Sequence, residues 1–403
     1  MRALHIGRAL QEIGQVALAV VSSDAATPEL MNKTADEFAV EPVVEVNEHP
    51  NRGFIQRFQC AFNPRFLNVH GCIANSNDRN RLLNRLKDFD LIWLLNSRTP
   101  NILNQWHWPQ SVLDIDDLPS AFQRTVWQNG AGLKEKLQAG IQMRLSQRRE
   151  RFWKERFSVL SVCSESDRQR LGDGKHVHVI PNGFERPPNE PIRNPVEPPR
   201  IGFIGLYSYL PNLEGMKWFV RECWPKVRRE IPNARLRLVG KDTDGPLKPN
   251  APNVDALGYV ADSAAEIATW SAMIVPVHMG GGTRVKIAEG FSRKCPIVST
   301  HIGAYGYEVK HGRELLLADK PGGFADACVS LIRDRAAASA MADRACAAFL
   351  KKWTWDAIAP RVWAAAEDCL RRNFNRSFSN SNAVCDWRAS PLPLPKVSAK
   401  RCC

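Results

Sequence analysis

The 403-residue chain has no apolar run of about 18 residues or more, so its sequence offers no transmembrane helix. It has no secretory signal either: the apolar stretch over 15–22 is short and reads as a buried strand. Eleven cysteines are present, yet none form a CxxC pair and none stand in a His/Cys zinc pattern. That excludes a zinc ribbon or a CxxC redox site. An odd count without a framework argues for a reducing, cytoplasmic setting. The terminal Cys402-Cys403 pair lacks a complete lipidation pattern. The net charge of +13 comes with no nucleic-acid-binding motif, so nucleic acid is not expected as a partner and phosphorylated ligands are.

What the chain does contain is ordinary for a soluble globular protein, with 44% hydrophobic and 24% charged residues. Its length exceeds one core and predicts two domains of roughly 150 to 200 residues each. One basic stretch, 144–156 (RLSQRRERFWKER), interleaves Phe152 and Trp153. It suits a peripheral contact at the inner membrane face. A solvated helix face with both aromatics turned to the core is the favoured reading.

From residue 200 on, strands and helices alternate. Strands are expected over 201–204, 234–239, 254–259, 273–277, 296–300 and 315–318, with helices over 212–229, 263–270, 283–293 and 322–352. Such alternation means a parallel sheet covered on both faces, an α/β fold. The first half repeats it more weakly, with strands over 16–22, 90–95, 111–115, 159–163 and 177–180 and a long helix over 133–156. Between the halves, 186–200 (RPPNEPIRNPVEPPR) carries six prolines in fifteen residues and reads as a linker. The expected organisation is therefore a domain over 1–185, a linker over 186–199, a second domain over 200–354, a helix over 355–372 and a disordered tail over 373–403. Two doubly wound units place a ligand cleft between the C-terminal edges of their sheets.

The segment 276–300 (PVHMGGGTRVKIAEGFSRKCPIVST) carries the most chemistry. A strand ends, Gly280, Gly281 and Gly282 follow, and Thr283 is expected to cap a helix. Glycines let a backbone approach a ligand, and the N–H groups of a first helical turn attract phosphate. Arg284 and Lys286 add positive charge beside that turn. Glu289 lies three residues after Lys286 on the same helix face, where a carboxylate suits the hydroxyls of a ribose. An ordinary glycine-rich turn with an exposed ion pair is the alternative at this point. In the first half, Asp114, Asp116 and Asp117 follow a strand at the cleft edge, where clustered carboxylates suit acid–base work; turn capping is the alternative.

In order along the chain, DLIWLL, SVLDIDDLPS, SVCSESD, VIPNGFE, GFIGLYSYLPN, LVGKD, LGYVAD, the segment 276–300, HIGAYGYE and LLLAD resemble glycosyltransferase family 4 over about residues 5–372. Within it the chain is most similar to the sugar transferases of bacterial exopolysaccharide clusters. The resemblance implies the GT-B fold, two Rossmann-like domains facing a central cleft. It implies transfer of a sugar from a UDP- or GDP-sugar to a saccharide or lipid-linked acceptor, with retention of configuration and no obligatory metal. Asp116, Asp114, Arg284 and Lys286 are then the candidates for catalysis. Donor binding would fall to Gly205, Tyr207, Gly240 and Val260, together with Gly280 to Gly282, Thr283, Arg284, Lys286 and Glu289. The helix over 355–372 would cross back onto the first domain, anchored by Trp353 and Trp355.

Three departures qualify the resemblance. Family members often carry two glutamates eight positions apart at this helix; the second matches Glu289, and Gly281 stands at the first. The basic pair usual near the first glycine loop of the second domain is absent, and 206–211 offers Tyr207, Tyr209 and backbone N–H groups instead. Met1 leads almost at once into ALHIGRALQEIG, which reads as the helix after an expected first strand, so that strand and its loop are expected to be missing. A catalytically impaired nucleotide-sugar-binding relative is the alternative this raises. A sugar-nucleotide epimerase of the same fold is a second, against which GGGTRVK and the crossing helix speak.

Overall fold

A computed structural model of the chain describes residues 2–22, 34–48, 58–60, 62–69, 71–130, 132–172 and 174–379. The second half is built on one six-stranded parallel sheet, ordered β12-β11-β10-β13-β14-β15. Its strands are β10 (Arg200–Ile204), β11 (Arg235–Val239), β12 (Val254–Ala256), β13 (Ala272–Val275), β14 (Ile297–Ser299) and β15 (Leu316–Leu317). Helices cover both faces, and two apolar clusters fill the layers. One gathers Phe203, Met216, Phe219, Trp224 and Phe324; the other gathers Trp270, Phe291, Phe349 and Trp353. The helix expected over 212–229 is interrupted: Leu210–Trp218 and Trp224–Glu230 flank a π turn at Phe219–Cys223, next to Pro225. Proline cannot donate the helical hydrogen bond, and the wider turn accommodates its ring.

In the first half, a four-stranded parallel sheet runs β6-β7-β8-β9, from β6 (Ile92–Leu95), β7 (Trp108–Ile115), β8 (Phe157–Val162) and β9 (Val177–Val179). The strand expected over 16–22 is split into β1 (Ala17–Leu18) and β2 (Val21–Ser22). β1 pairs with β3 (Ala39–Val40), and β2 with β4 (Val44–Glu48), which pairs antiparallel with β5 (Cys72–Ala74). Between this small sheet and β6 lies a largely apolar cavity of about 420 Å³, lined by Ala3, Val21, Leu94 and Leu103 among others. The N-terminal residues form the expected helix, Arg2–Gln11.

The crossing helix, Trp355–Ser379, is longer than expected; the remainder of the tail, 380–403, lies outside the described residues. Its apolar face joins the first helix over the β6–β9 sheet, with Ile6, Leu10, Val112, Val159, Ile180, Ile358, Val362 and Ala366 buried together. Trp353 stays in the core of the second half, while Trp355 stacks on His5 at 4.5 Å between ring centroids. The two tryptophans thus fasten the crossing on both sides. The proline-rich 186–199 is irregular but fastened to the second half, because Asn194 N–H donates to Ala268 O (2.9 Å) and Val196 N–H to Thr269 O (3.2 Å).

The long helix expected over 133–156 splits into Leu133–Glu150 and Trp153–Arg156, which divides the basic stretch 144–156 between them. Trp153 is buried and Phe152 packs edge-on against Trp106, so both aromatics turn inward. Among the described residues no helix is long and apolar enough to cross a membrane.

Candidate functional site

β10 and β13 are neighbours in the sheet although the chain between them passes through β11 and β12 on the other side. The crevice outside their C-terminal ends is where open α/β sheets take ligands. A cavity of about 350 Å³ lies there. Gly205, Tyr209 and Asn212 line it after β10, Gly281, Arg284, Lys286 and Glu289 after β13, and Asp116 and Asp117 face it from the end of β7 in the other half.

The glycine turn owes its composition to the other half of the chain. Helix Pro119–Asn129, which the sequence reading missed, docks on it. Its Thr125 Oγ1 accepts the Gly280 N–H (2.8 Å), and Asn129 Nδ2 donates to His278 O (2.8 Å). A Cβ at position 282 would stand 2.6 Å from the Asp116 carbonyl oxygen, and one at 281 would stand 1.6 Å from Asp117 Oδ1. Gly280 and Gly282 also have φ of 123° and 63°, where side chains are strained. Beside any ligand, these glycines admit the backbone and carboxyl of the first half.

Thr283 does not cap the helix as expected. That helix is Val285–Ser292 with Arg284 at its N-cap and no side-chain cap; Thr283 Oγ1 instead accepts the Asn182 N–H (3.3 Å), a second tie between the halves. The Arg284 guanidinium folds back on the turn and donates to the carbonyls of Gly281, Gly282 and Met279, leaving Nε without a partner among the described residues.

Lys286 and Glu289 come from the same helix face, as the i, i+3 spacing requires. Lys286 Nζ donates to Asn212 Oδ1 (2.8 Å) and sits 4.0 Å above the Phe203 ring. Asn212 in turn donates to Leu206 O (2.7 Å), which fixes the loop after β10 against the helix. Burial pulls the Lys286 ammonium down to about 7, Arg284 pushes the same way, and Glu289 opposes both. Glu289 accepts from Ser263 Oγ (3.0 Å), and burial raises its carboxyl above the usual range.

Other sequence candidates are placed elsewhere. Asp114 is 1% exposed and does not line the cavity. Its carboxylate takes two 2.7 Å hydrogen bonds from Arg2 and one from Ser161 Oγ. Tyr207 is fully buried in the core, and Tyr209 reaches the cavity in its place. Gly240 packs against the Gly205 backbone, behind the loop rather than in the cavity, and Val260 packs on the core. Asp116 is exposed in the cleft, with Oδ1 accepting from Asn182 Nδ2 (2.5 Å). Among the described residues no His, Cys, Asp and Glu group is arranged to hold a metal ion.

The charges set a pH dependence. An anion on Lys286 needs the ammonium form, which the free protein loses as pH rises through about 7. A diphosphate monoester has reached constant charge above its last pKa of ~6. Between pH 7 and 9 the affinity for a diphosphate anion is therefore expected to fall, up to about tenfold per unit, and calorimetry on Lys286→Met should give a flat profile.

Residues 198–334 match the family described as Glycosyl transferases group 1. The chain is 26% identical over 127 residues to an uncharacterized 44.6 kDa protein in the cps region of Klebsiella pneumoniae; the match spans 29% of this chain and 33% of that protein. Among solved structures, the chain is similar to sucrose-phosphate synthase from Thermosynechococcus elongatus (TM-score 0.61, 14% identity, 94% of this chain and 93% of that one). It is similar too to HepE of Anabaena in complex with UDP-glucose (TM-score 0.56, 15% identity, 91% and 94%). A glycosyltransferase from Rickettsia africae matches with TM-score 0.58 and 12% identity over 91% of this chain and 94% of that one. The fold is GT-B, and the resemblance to glycosyltransferase family 4 holds.

Proposed function

We propose that this GT4-like chain transfers a sugar from a UDP-sugar, with retention of configuration, to a saccharide or lipid-linked acceptor. The observation that carries the reading is the approximately 350 Å³ cavity at the sheet's switch point, with Lys286 and Glu289 side by side on one wall. Lys286 answers the diphosphate, with the unpaired Nε of Arg284 beside it. Glu289, held by Ser263, answers the ribose hydroxyls. Preplaced positive charge at the leaving diphosphate stabilises the transition state, and one such group is worth about 10² to 10³ in rate. Asp116 faces the same space from the other half and is the remaining candidate to touch the reacting sugar. UDP as the nucleotide follows the HepE complex, which holds UDP-glucose. The cps-region relative favours a polysaccharide acceptor.

A thermal-shift screen of nucleoside diphosphates and nucleotide-sugars tests the reading, since a ligand bound only by the native state raises the melting temperature. UDP and at least one UDP-sugar are expected to stabilise the protein, and the product formed from that donor should keep the donor's anomeric configuration by NMR. Stabilisation by no nucleotide would overturn the proposal.

A further inference from the structure

Asn182 belongs to Pro181-Asn182-Gly183, by composition a turn before the proline-rich segment. A turn asparagine ordinarily meets water, yet this one is 5% exposed. Its polar groups are engaged on three sides. Oδ1 accepts from Arg2 Nη1 (3.0 Å), Nδ2 donates to Asp116 Oδ1 (2.5 Å), and the N–H donates to Thr283 Oγ1 (3.3 Å). The amide therefore stands where the first helix, the end of β7 and the glycine turn of the second half meet. Its orientation cannot be reversed. A guanidinium only donates and an ionised carboxylate only accepts, so the amide oxygen must face Arg2 and the amide nitrogen must face Asp116.

Asp116 has a second donor on the same oxygen. Cys163 S–H donates to Asp116 Oδ1 (3.2 Å), with Ile115 O farther off at 3.8 Å. Burial raises the Cys163 thiol well above its ordinary pKa, Arg2 opposes and Asp116 reinforces, so the sulfur keeps its proton and stays a donor. An aspartate exposed in a cleft ordinarily samples several rotamers. Two donors converging on one oxygen select one of them.

We infer that Asn182 is a positioning residue: braced by Arg2, its amide fixes the Asp116 carboxylate so that Oδ2 is turned to the sugar in the cleft. The inference rests on the UDP-sugar reading above and deepens it, because Asp116 is the carboxylate through which that reading lets the first half touch the sugar. Asn182 does not itself line the cavity, so it acts through Asp116.

Asn182→Asp separates this role from the junction between the halves. The introduced carboxyl has the same shape, still accepts from Arg2 and leaves the N–H on Thr283. While ionised it cannot donate to Asp116. Two carboxylates that close raise the pKa of one of them, so acid returns a shared proton and with it a donor.

The experiment is steady-state release of UDP from UDP-glucose, UDP-galactose and UDP-N-acetylglucosamine by the full chain at pH 5 to 8, with water taking the sugar, beside calorimetry with UDP. Wild type is expected to turn over at least one of the three. At pH 8 Asn182→Asp should lower kcat at least about tenfold while KM and UDP affinity stay within about twofold, since a misplaced reacting group slows the chemical step more than it weakens binding. Unchanged UDP affinity also shows that the cleft is assembled. The ratio of variant to wild-type kcat should rise as pH falls from 8 to 5. In an Asp116→Ala background the substitution should cost nothing further, because both changes act through the same carboxylate. A merely structural role would give neither the recovery in acid nor the dependence on Asp116. Turnover equal to wild type at pH 8, no recovery in acid, or a loss of the same size with Asp116→Ala present would overturn this inference and leave the donor-site reading standing. A wild type that releases no UDP from any of the three donors would overturn the UDP-sugar reading and this inference with it.

Discussion

Lys286→Met is expected to reduce affinity for UDP at least tenfold, about 1.4 kcal/mol, without lowering the melting temperature. The expectation follows from the position of the ammonium group. It is buried on the cavity wall, bonded to the neutral Asn212 and stacked over Phe203, and Glu289 is held by Ser263. No ion pair in the described residues involves Lys286, and Glu289 offsets its charge only in part until an anion enters. Burial in that setting lowers its pKa to about 7, which means that the folded state disfavours the charge. For stability the sign is opposite to that for binding. Between about 7 and its ordinary 10.5 the unfolded chain binds a proton that the folded chain does not, so this lysine's contribution improves as pH rises across that window and is lost as pH falls through it. Methionine keeps the stem and removes the charge, so below pH 10 the variant should be no less stable than the wild type. Thermal melts at pH 7 to 10, with and without UDP, check both halves of the prediction. A lower melting temperature with unchanged UDP affinity would make Lys286 a structural residue.

Arg2→Met is expected to destabilise the fold by about 3–5 kcal/mol. Asp114 is 1% exposed, and both of its oxygens are bonded to Arg2, with Ser161 as a third donor. The same guanidinium donates to the carbonyls of Ile180 (2.9 Å) and Pro181 (3.2 Å) and to Asn182 Oδ1 (3.0 Å). One side chain therefore ties the first helix, the C-terminal end of β7 and the turn before the proline-rich segment. Removing it strands a carboxylate in a place that water does not reach, and that uncompensated charge is the main cost. The double variant Arg2→Met with Asp114→Leu removes both charges and should recover most of the loss. Denaturant titration of the three variants measures this. Equal loss in the single and the double variant would mean that packing, not charge pairing, holds the junction.

The parts of this fold that repeat along the chain were legible in the sequence. Alternation of apolar strands with helices marked every strand of the six-stranded sheet to within a few residues, most clearly the central β10, β13 and β14, which are buried on both faces. Lys286 and Glu289 were legible as neighbours because three residues is nearly one helical turn. The last helix was legible from its apolar face, while its crossing onto the first half followed from the resemblance to glycosyltransferase family 4.

What failed depends mostly on contacts between residues far apart along the chain, which no local pattern encodes. The helix Pro119–Asn129 was missed, although Leu118-Pro119 is a helix-start signal with proline at the first position. Without it, Thr125 had no visible reason to meet Gly280. Asp114 looked like one of three equivalent carboxylates, and only its burial beside Arg2, 112 residues away, separates it from Asp116 and Asp117. Tyr207 and Tyr209 have opposite fates because the loop after β10 turns the first into the core. Thr283 read as a cap because its type suits one. Helix formation begins two residues later, since its hydroxyl is engaged by Asn182.

In the proposed function Glu289 holds the ribose of a bound UDP while Lys286 holds its diphosphate. Calorimetric titration of UDP and 2′-deoxy-UDP into wild type and Glu289→Ala tests it most directly. Wild type is expected to bind UDP about tenfold more tightly than 2′-deoxy-UDP, and Glu289→Ala to bind both with the weaker affinity. A Glu289→Ala protein that still separates the two ligands as well as wild type does would contradict it.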